Sequence, residues 1–217
     1  MKLNIALNIE GYILLRIDRI VSDKVRGGGV MLYIKSTLNA TVREDLASIF
    51  AECICCDVEI ENENTLIEIC YRCPFSNKLS DESLFELTSR ASFEKIMLMG
   101  DFNFSELDWR TPETLDNLHP FLKCINDNFL IQHVDEPTRR KNILDLVFTS
   151  EENMIKNLSV GEHFETSDHQ IIRWNMLACK VIQKQIKSYN YNKGDYDKIR
   201  DEAGSINWNE IVMGNND

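Results

Sequence analysis

The chain has 217 residues, a formal net charge of −11, 43% hydrophobic and 27% charged residues. That length and apolar content fit one folded domain with a tail, and exclude global disorder and collagen-like repeats. The acidic balance excludes a generic nucleic-acid coat, which needs a broad Lys/Arg field, but not an enzyme holding one phosphodiester in a small cleft.

In chain order, residues 29–35 follow the Gly27-Gly28-Gly29 turn and read as a buried strand. Residues 52–60 and 65–71 are two β-rich runs joined by the polar stretch 61–64, a predicted hairpin. Helical spacing of Leu84, Leu87 and Ala91 predicts a helix over 80–93, with Ser80 or Asp81 as N-cap. KIMLMG, at 95–100, is a short continuous apolar run of the kind buried on both faces of a sheet. A second helix is predicted over 115–128, with Leu118, Leu122 and Ile125 on one face. Further strands are predicted at 130–134, 143–149, 155–160 and 170–175. Alternation of strands and helices argues for an α/β or α+β sandwich over 1–178.

Residues 179–217 differ. The segment 180–188 is basic, 189–194 is turn-like, 195–203 can form a short helix, and 213–217 reads as frayed. From residue 180 onward basic and acidic residues balance at six each, so residues 1–179 carry the whole negative charge. No apolar run approaches the roughly 18 residues of a membrane-spanning helix. The first fifteen residues lack a small-residue cleavage site. Seven cysteines, at 53, 55, 56, 70, 73, 124 and 179, sit mostly in apolar strand-like contexts and read as reduced thiols. The rival reading is a metal site at the Cys70–Cys73 pair, a lone CxxC. The expected location is intracellular, nuclear or cytoplasmic, without secretion.

Gly100-Asp101-Phe102-Asn103 comes straight off the KIMLM strand. The glycine lets the backbone turn, and a period of two puts Asp101 and Asn103 on one side. A carboxylate beside an amide suits the orientation and deprotonation of water. The alternative is a simple Asx turn. Ser167-Asp168-His169 stands at the mouth of the strand at 170–175. There Asp168 can bind a hard divalent cation and His169 can contact a phosphate or move a proton. The alternative is a loop with a structural histidine. Asp145 lies in the apolar run Ile143-Leu144-Asp145-Leu146-Val147-Phe148 and needs a partner. His169 is one candidate, and Arg139, Arg140 or Lys141 are the others. Tyr71 and Arg72 end a strand and suit phosphate binding, or form a half-buried tyrosine with a surface arginine. Arg139-Arg140-Lys141 is the densest basic run, plausible against a nucleic-acid backbone or as a solvated loop. Trp109 reads as a packing aromatic.

Taken as an ordered series, these pieces resemble the endonuclease/exonuclease/phosphatase superfamily, and within it the endonuclease domain of non-LTR retrotransposons. The series is Gly11-Tyr12, Arg16, Asp18-Arg19, the run 27–35, Tyr71 to Pro74, Gly100 to Asn103 with Asp108-Trp109, Pro137 to Arg139, the run 142–149, and Ser167 to His169. It covers residues 9–177.

The resemblance implies a four-layer α/β/β/α sandwich of two mixed sheets flanked by helices. It implies Mg²⁺- or Mn²⁺-dependent phosphodiester hydrolysis, with DNA nicking as the reaction and DNA as the partner, and neither a membrane nor a small-molecule cofactor. Asp101 would activate the water, Asn103 would help hold it, and Tyr71 would touch the phosphate. His169 would contact the scissile phosphate, Asp145 would orient it, and Asp168 would bind the metal. Arg72, Arg139 and Arg140 would meet the nucleic acid. The family also carries an Asn on its first strand and a metal-binding Glu, both upstream of the segment that starts at Gly11-Tyr12. This chain begins about there, so the expectation is that the first strand or strands are missing, with that Asn and Glu, and that the chemistry is impaired. The alternative is a non-catalytic remnant or binding module of the same fold. Residues 179–217 would be the linker toward an absent reverse transcriptase.

Overall fold

The computed structural model describes residues 7–19, 29–92, 94–107, 109, 119–176 and 196–205. Two units separate in the chain, Met1–Lys180 and Val181–Asp217. The first contains, in order, β1 (Tyr12–Ile17), β2 (Val30–Lys35), β3 (Ala40–Val42), α1 (Glu44–Ala47), β4 (Cys53–Ile60), β5 (Glu63–Tyr71), α2 (Lys78–Ala91), β6 (Ile96–Asp101), α3 (Pro120–Asp127), β7 (Ile131–Gln132), β8 (Asp145–Thr149), β9 (Ile155–His163) and β10 (Gln170–Met176). In the second, the described element is α4 (Tyr196–Ser205).

The fold is mixed α/β around a six-stranded sheet of order β3-β4-β5-β6-β8-β7. Among the described strands only β5 and β6 pair in parallel, which requires a crossover, and α2 supplies it. The predicted second sheet takes the form of two separate antiparallel ladders, β1-β2 and β9-β10. The β1-β2 ladder packs against β4 and β5. The β9-β10 ladder contributes Leu158, Val160, Ile172, Trp174 and Met176 to the core.

The central strands are apolar on both faces because both faces are covered. Ile96, Met97 and Leu98 of β6 and Cys53, Cys55 and Cys56 of β4 are fully buried. On the helix-facing side Phe148 of β8 meets Phe121 of α3 edge-on, with ring centroids 5.8 Å apart, and Phe102 lies 5.3 Å from Phe121. Trp109 closes this group at 5.8 Å from Phe148, a packing aromatic.

Several boundaries differ from expectation for local reasons. The helix α2 begins at Lys78 because Asn77, not Ser80 or Asp81, is the N-cap and accepts from the Ser80 amide at 2.9 Å. The β4–β5 connection is two residues long, not four. Glu61 and Asn62 both take left-handed backbone (φ 51° and 68°), the geometry that matches strand twist in a tight hairpin. Helix α3 starts at Pro120, since His119 is extended and proline at the first helical position already has the right φ. Strands β1 and β3 were not predicted. The Gly27-Gly28 turn, Asp108, residues 115–118, Cys179, the segments at 180–188 and 189–194, and the frayed end at 213–217 lie outside the described residues. Among the described residues no helix is long and apolar enough to cross a membrane.

Candidate active site

Three neighbouring strands end in one row. Tyr71 on β5 stands beside Asp101 on β6, and Asp101 stands opposite Asp145 on β8. Register partners share a face of the sheet. The row therefore lies on the side away from Phe148, whose register mate is Leu98. Gly100 makes the convergence possible. Its φ is +149°, and a Cβ there would lie 1.8 Å from the Cys70 carbonyl oxygen. Only glycine lets β6 approach β5 so closely at the site's edge.

The loop between β9 and β10 brings His169 onto this row. Its Nδ1 is 2.8 Å from Asp145 Oδ2, and its Nε2 is 4.0 Å from Asp101 Oδ2. Thr138, fully buried, secures both neighbours. Its hydroxyl accepts from the amides of Leu144 and Asp145, each at 3.0 Å, and its carbonyl accepts from the Gln170 amide at 2.8 Å. The start of β8 and the residue after His169 are thus tied to one side chain and its own backbone. A threonine inside a Pro-Thr-Arg-Arg-Lys run gives no sign of burial in sequence.

Burial, and after it the facing Asp145 carboxylate, push the Asp101 carboxyl up to about 6, with His169 acting in the opposite sense. One oxygen of Asp101, Oδ1, is buried without a hydrogen-bond partner among the described residues. Asp101, Asp145 and His169 each offer a ligand atom, and these atoms lie within 4.8 Å of one another. Two carboxylates, one with an unpartnered buried oxygen, and an imidazole suit a divalent cation. At the end of the row, Arg19 sits over the Tyr71 ring at 5.0 Å and is itself paired with Glu52. Burial raises the Tyr71 hydroxyl above its ordinary range and Arg19 opposes that.

Residues 65–173, half of the chain, match the family model described as endonuclease-reverse transcriptase. The chain belongs to the endonuclease/exonuclease/phosphatase superfamily. Among solved structures, it is similar to the endonuclease domain of TRAS1, a telomere-specific non-LTR retrotransposon. That match has a TM-score of 0.62 and 16% identity over 79% of this chain and 83% of that one. It is also similar to a mannosyl-6-phosphatase from Bacteroides thetaiotaomicron VPI-5482, with a TM-score of 0.51 and 12% identity over 78% of each chain. At these identities the likeness is one of fold. No curated protein matches the sequence.

The other expected residues of this superfamily member take varied positions. Asn103 is buried, and its side-chain amide donates to the Arg72 carbonyl at 2.9 Å. The strand ends at Asp101 and Asn103 is left-handed (φ 51°), so strand alternation does not place it. Asp168 stands outside the three-residue cluster. Its Oδ2 accepts from Arg139 Nε at 2.8 Å, which holds its carboxyl below the usual range. Its Oδ1 is 3.9 Å from His169 Nε2. Arg139 is half-buried at this rim, and Arg140 is exposed at the turn closed by the Arg139–Asn142 bridge. Arg72, expected at the nucleic acid, turns inward and is buried. The Cys70–Cys73 pair belongs to no metal-type cluster among the described residues. Cys70 faces the helices and contacts Cys53, Sγ to Sγ 3.1 Å.

Proposed function

We propose that this chain is a divalent-metal-dependent phosphodiesterase of the DNA-nicking endonuclease type, of retrotransposon origin. The observation that carries the reading is the line Asp145–His169–Asp101 at the strand ends of an endonuclease-reverse transcriptase family fold. The description of the TRAS1 domain as a retrotransposon endonuclease supports DNA as substrate.

The chain's own residues divide the work. Asp145 accepts the Nδ1 hydrogen of His169 and so fixes the ring, leaving Nε2 toward the cleft. There, with both ring nitrogens carrying hydrogen, Nε2–H donates to a phosphate oxygen. Asp101, whose carboxyl is about half ionised near pH 6, is a carboxylate at neutral pH that still has real affinity for a proton. It orients the attacking water and takes its proton. Tyr71 extends the row and reaches the phosphate from the other side. Arg139, held by Asp168 through Nε, presents its remaining donors at the rim. Asp145, which bonds His169 through one oxygen only, would hold the cation and leave Asp101 to the water, in keeping with magnesium's habit of binding one or two carboxylates plus substrate phosphate. When bound, it supplies charge stabilisation at the phosphate and the leaving oxygen.

The test is nicking of supercoiled plasmid in Mg²⁺ or Mn²⁺ by the chain, Asp101→Ala and His169→Ala. Loss of a general acid or base removes about 10²–10⁴-fold of rate, so both variants should be silent. Nicking that survives both substitutions would sink the assignment. One observation favours a second reading, a binding module without catalysis. Asp168 is occupied by Arg139, and among the described residues the cluster offers three ligand atoms. DNA binding by the wild-type chain with no nicking in either metal would select it.

A further inference from the structure

Arg72 is the first residue beyond β5, and it touches each residue of the turn that follows β6. Its backbone N–H donates to the Asp101 carbonyl at 2.9 Å. Its backbone carbonyl accepts from the Asn103 side chain at 2.9 Å. Nη1 of its guanidinium donates to the carbonyls of Phe102 and Asn103, both at 3.3 Å. The same guanidinium lies 3.9 Å from the centroid of the Phe104 ring. Nε and Nη2 grip Asp81 in the first turn of α2 at 2.7 and 3.0 Å.

This is an unusual use of a cation. The side chain is only 8% exposed. Its charge is neutralised by Asp81 in a bidentate pair, so little field reaches the cleft. What it supplies is geometry. Asn103 is held left-handed (φ 51°), a conformation that residues other than glycine adopt at a cost and keep where their surroundings fix it. The two carbonyls bonded to Nη1 lie on either side of that strained unit. Asp101 lies two residues before it.

We propose that Arg72 is a positioning residue, a buried latch that ties the Asp101–Phe104 turn to α2 and thereby holds the Asp101 carboxylate against His169. The inference deepens the phosphodiesterase reading and rests on it for its catalytic meaning. It replaces the expectation that Arg72 meets the nucleic acid. Lysine cannot substitute: one ammonium has no planar fork to span Asp81 and two carbonyls.

The experiment pairs Arg72→Lys with Asp81→Asn, each in the full chain, and reads amide hydrogen exchange by NMR beside nicking kinetics. The reporter is the Phe102 amide, which donates to the Leu144 carbonyl across the site at 2.9 Å. The reference is the set of β4 and β5 amides. A latch predicts that Phe102 exchanges at least about tenfold faster while the reference amides change less than about twofold, because only the turn opens. It also predicts a lower kcat with KM held within about twofold. A merely structural arginine predicts that all amides speed up together, and that outcome overturns the proposal. Unchanged Phe102 exchange in a folded variant overturns it too. If Arg72→Lys does not fold, Asp81→Asn, which keeps the guanidinium and a neutral acceptor, carries the same two readouts. A wild-type chain that fails to nick refutes the phosphodiesterase reading, while the exchange pattern still decides whether Arg72 holds the turn.

Discussion

Glu68 sits in the middle of β5, fully buried, on the helix-facing side of the sheet beside Leu98 and opposite Cys55. One carboxylate oxygen accepts from the Cys55 thiol at 3.6 Å, and the other has no partner among the described residues. Burial pushes its carboxyl up to about 8, from an ordinary 4.5. The folded chain therefore binds this proton more tightly than the unfolded chain. Stability from this group is fully present below pH 4.5 and is lost as pH rises toward 8. At 1.36 kcal/mol per unit, the loss amounts to about 3 kcal/mol by pH 7 and about 5 kcal/mol above pH 8. Glutamine has the same shape and no proton to lose. Glu68→Gln should match the wild type or fall slightly below it at pH 5, since its amide hydrogens lack acceptors. It should then exceed the wild type increasingly toward pH 8. Urea unfolding at pH 5, 6, 7 and 8 reads this as a widening gap between the two midpoints. Parallel midpoint curves over that range would refute the argument that Glu68 folds as a buried neutral acid.

Three further outcomes follow from the site and the thiols. If Asp101 is the base, nicking by the wild-type chain should rise with pH through about 6, because only the carboxylate accepts the water's proton, and a profile of initial rates that stays flat from pH 5 to 7 would refute it. Asp145→Asn keeps the shape but loses the charge that orients His169, so the rate should fall about 10–100-fold with little change in DNA binding, measured by filter retention. Cys53, Cys55, Cys56, Cys70 and Cys124 are buried, and their thiols are raised, by hydrogen bonds among thiols and then burial at Cys53 and Cys55 and by burial at the other three, whereas Cys73 is half-exposed; among these six, peptide mapping after brief alkylation of the native chain should find Cys73 labelled first.

Much of this arrangement is legible in the residues. A continuous apolar run such as KIMLM is buried on both faces wherever a sheet is covered twice, so β6 and its exit into Asp101 could be placed without a structure. The pairing of Asp145 with a partner could be anticipated because a charge in an apolar strand needs one. Four candidates are on hand, and only the fold brings His169 to 2.8 Å while leaving Arg139 on Asp168. Arg72 shows where local reasoning stops. An arginine at a strand end points outward or inward according to what lies beyond it. Here Asp81, nine residues later, and the carbonyls of a turn 30 residues later turn it inward. Strand β1 escaped notice because its pattern is half-exposed along its length and its partner β2 follows a long connection.

The strongest physical sign that the row is a site, not a stretch of sheet, is that it opposes stability. Asp101 and Asp145 face each other directly across adjacent strands. The Phe102 amide bonds the Leu144 carbonyl, so Asp101 and Asp145 form a narrow, non-hydrogen-bonded pair, in which side chains come closest. Burial of the Asp101 carboxyl and, after it, like-charge repulsion from Asp145 raise it to about 6 against an ordinary 3.8. At pH 7 that shift corresponds to a penalty of at most about 3 kcal/mol. His169 offsets part of it. A fold selected for stability alone would place a neutral residue at one of the two positions. Asp101→Asn should therefore unfold at a higher temperature than the wild type at pH 7.5, and the difference should shrink at pH 5, where the wild-type carboxyl is protonated. The same substitution should abolish nicking. A variant that is less stable than the wild type at both pH values would mean that Asp101 is an ordinary structural carboxylate, and the case for a catalytic row would lose its energetic support.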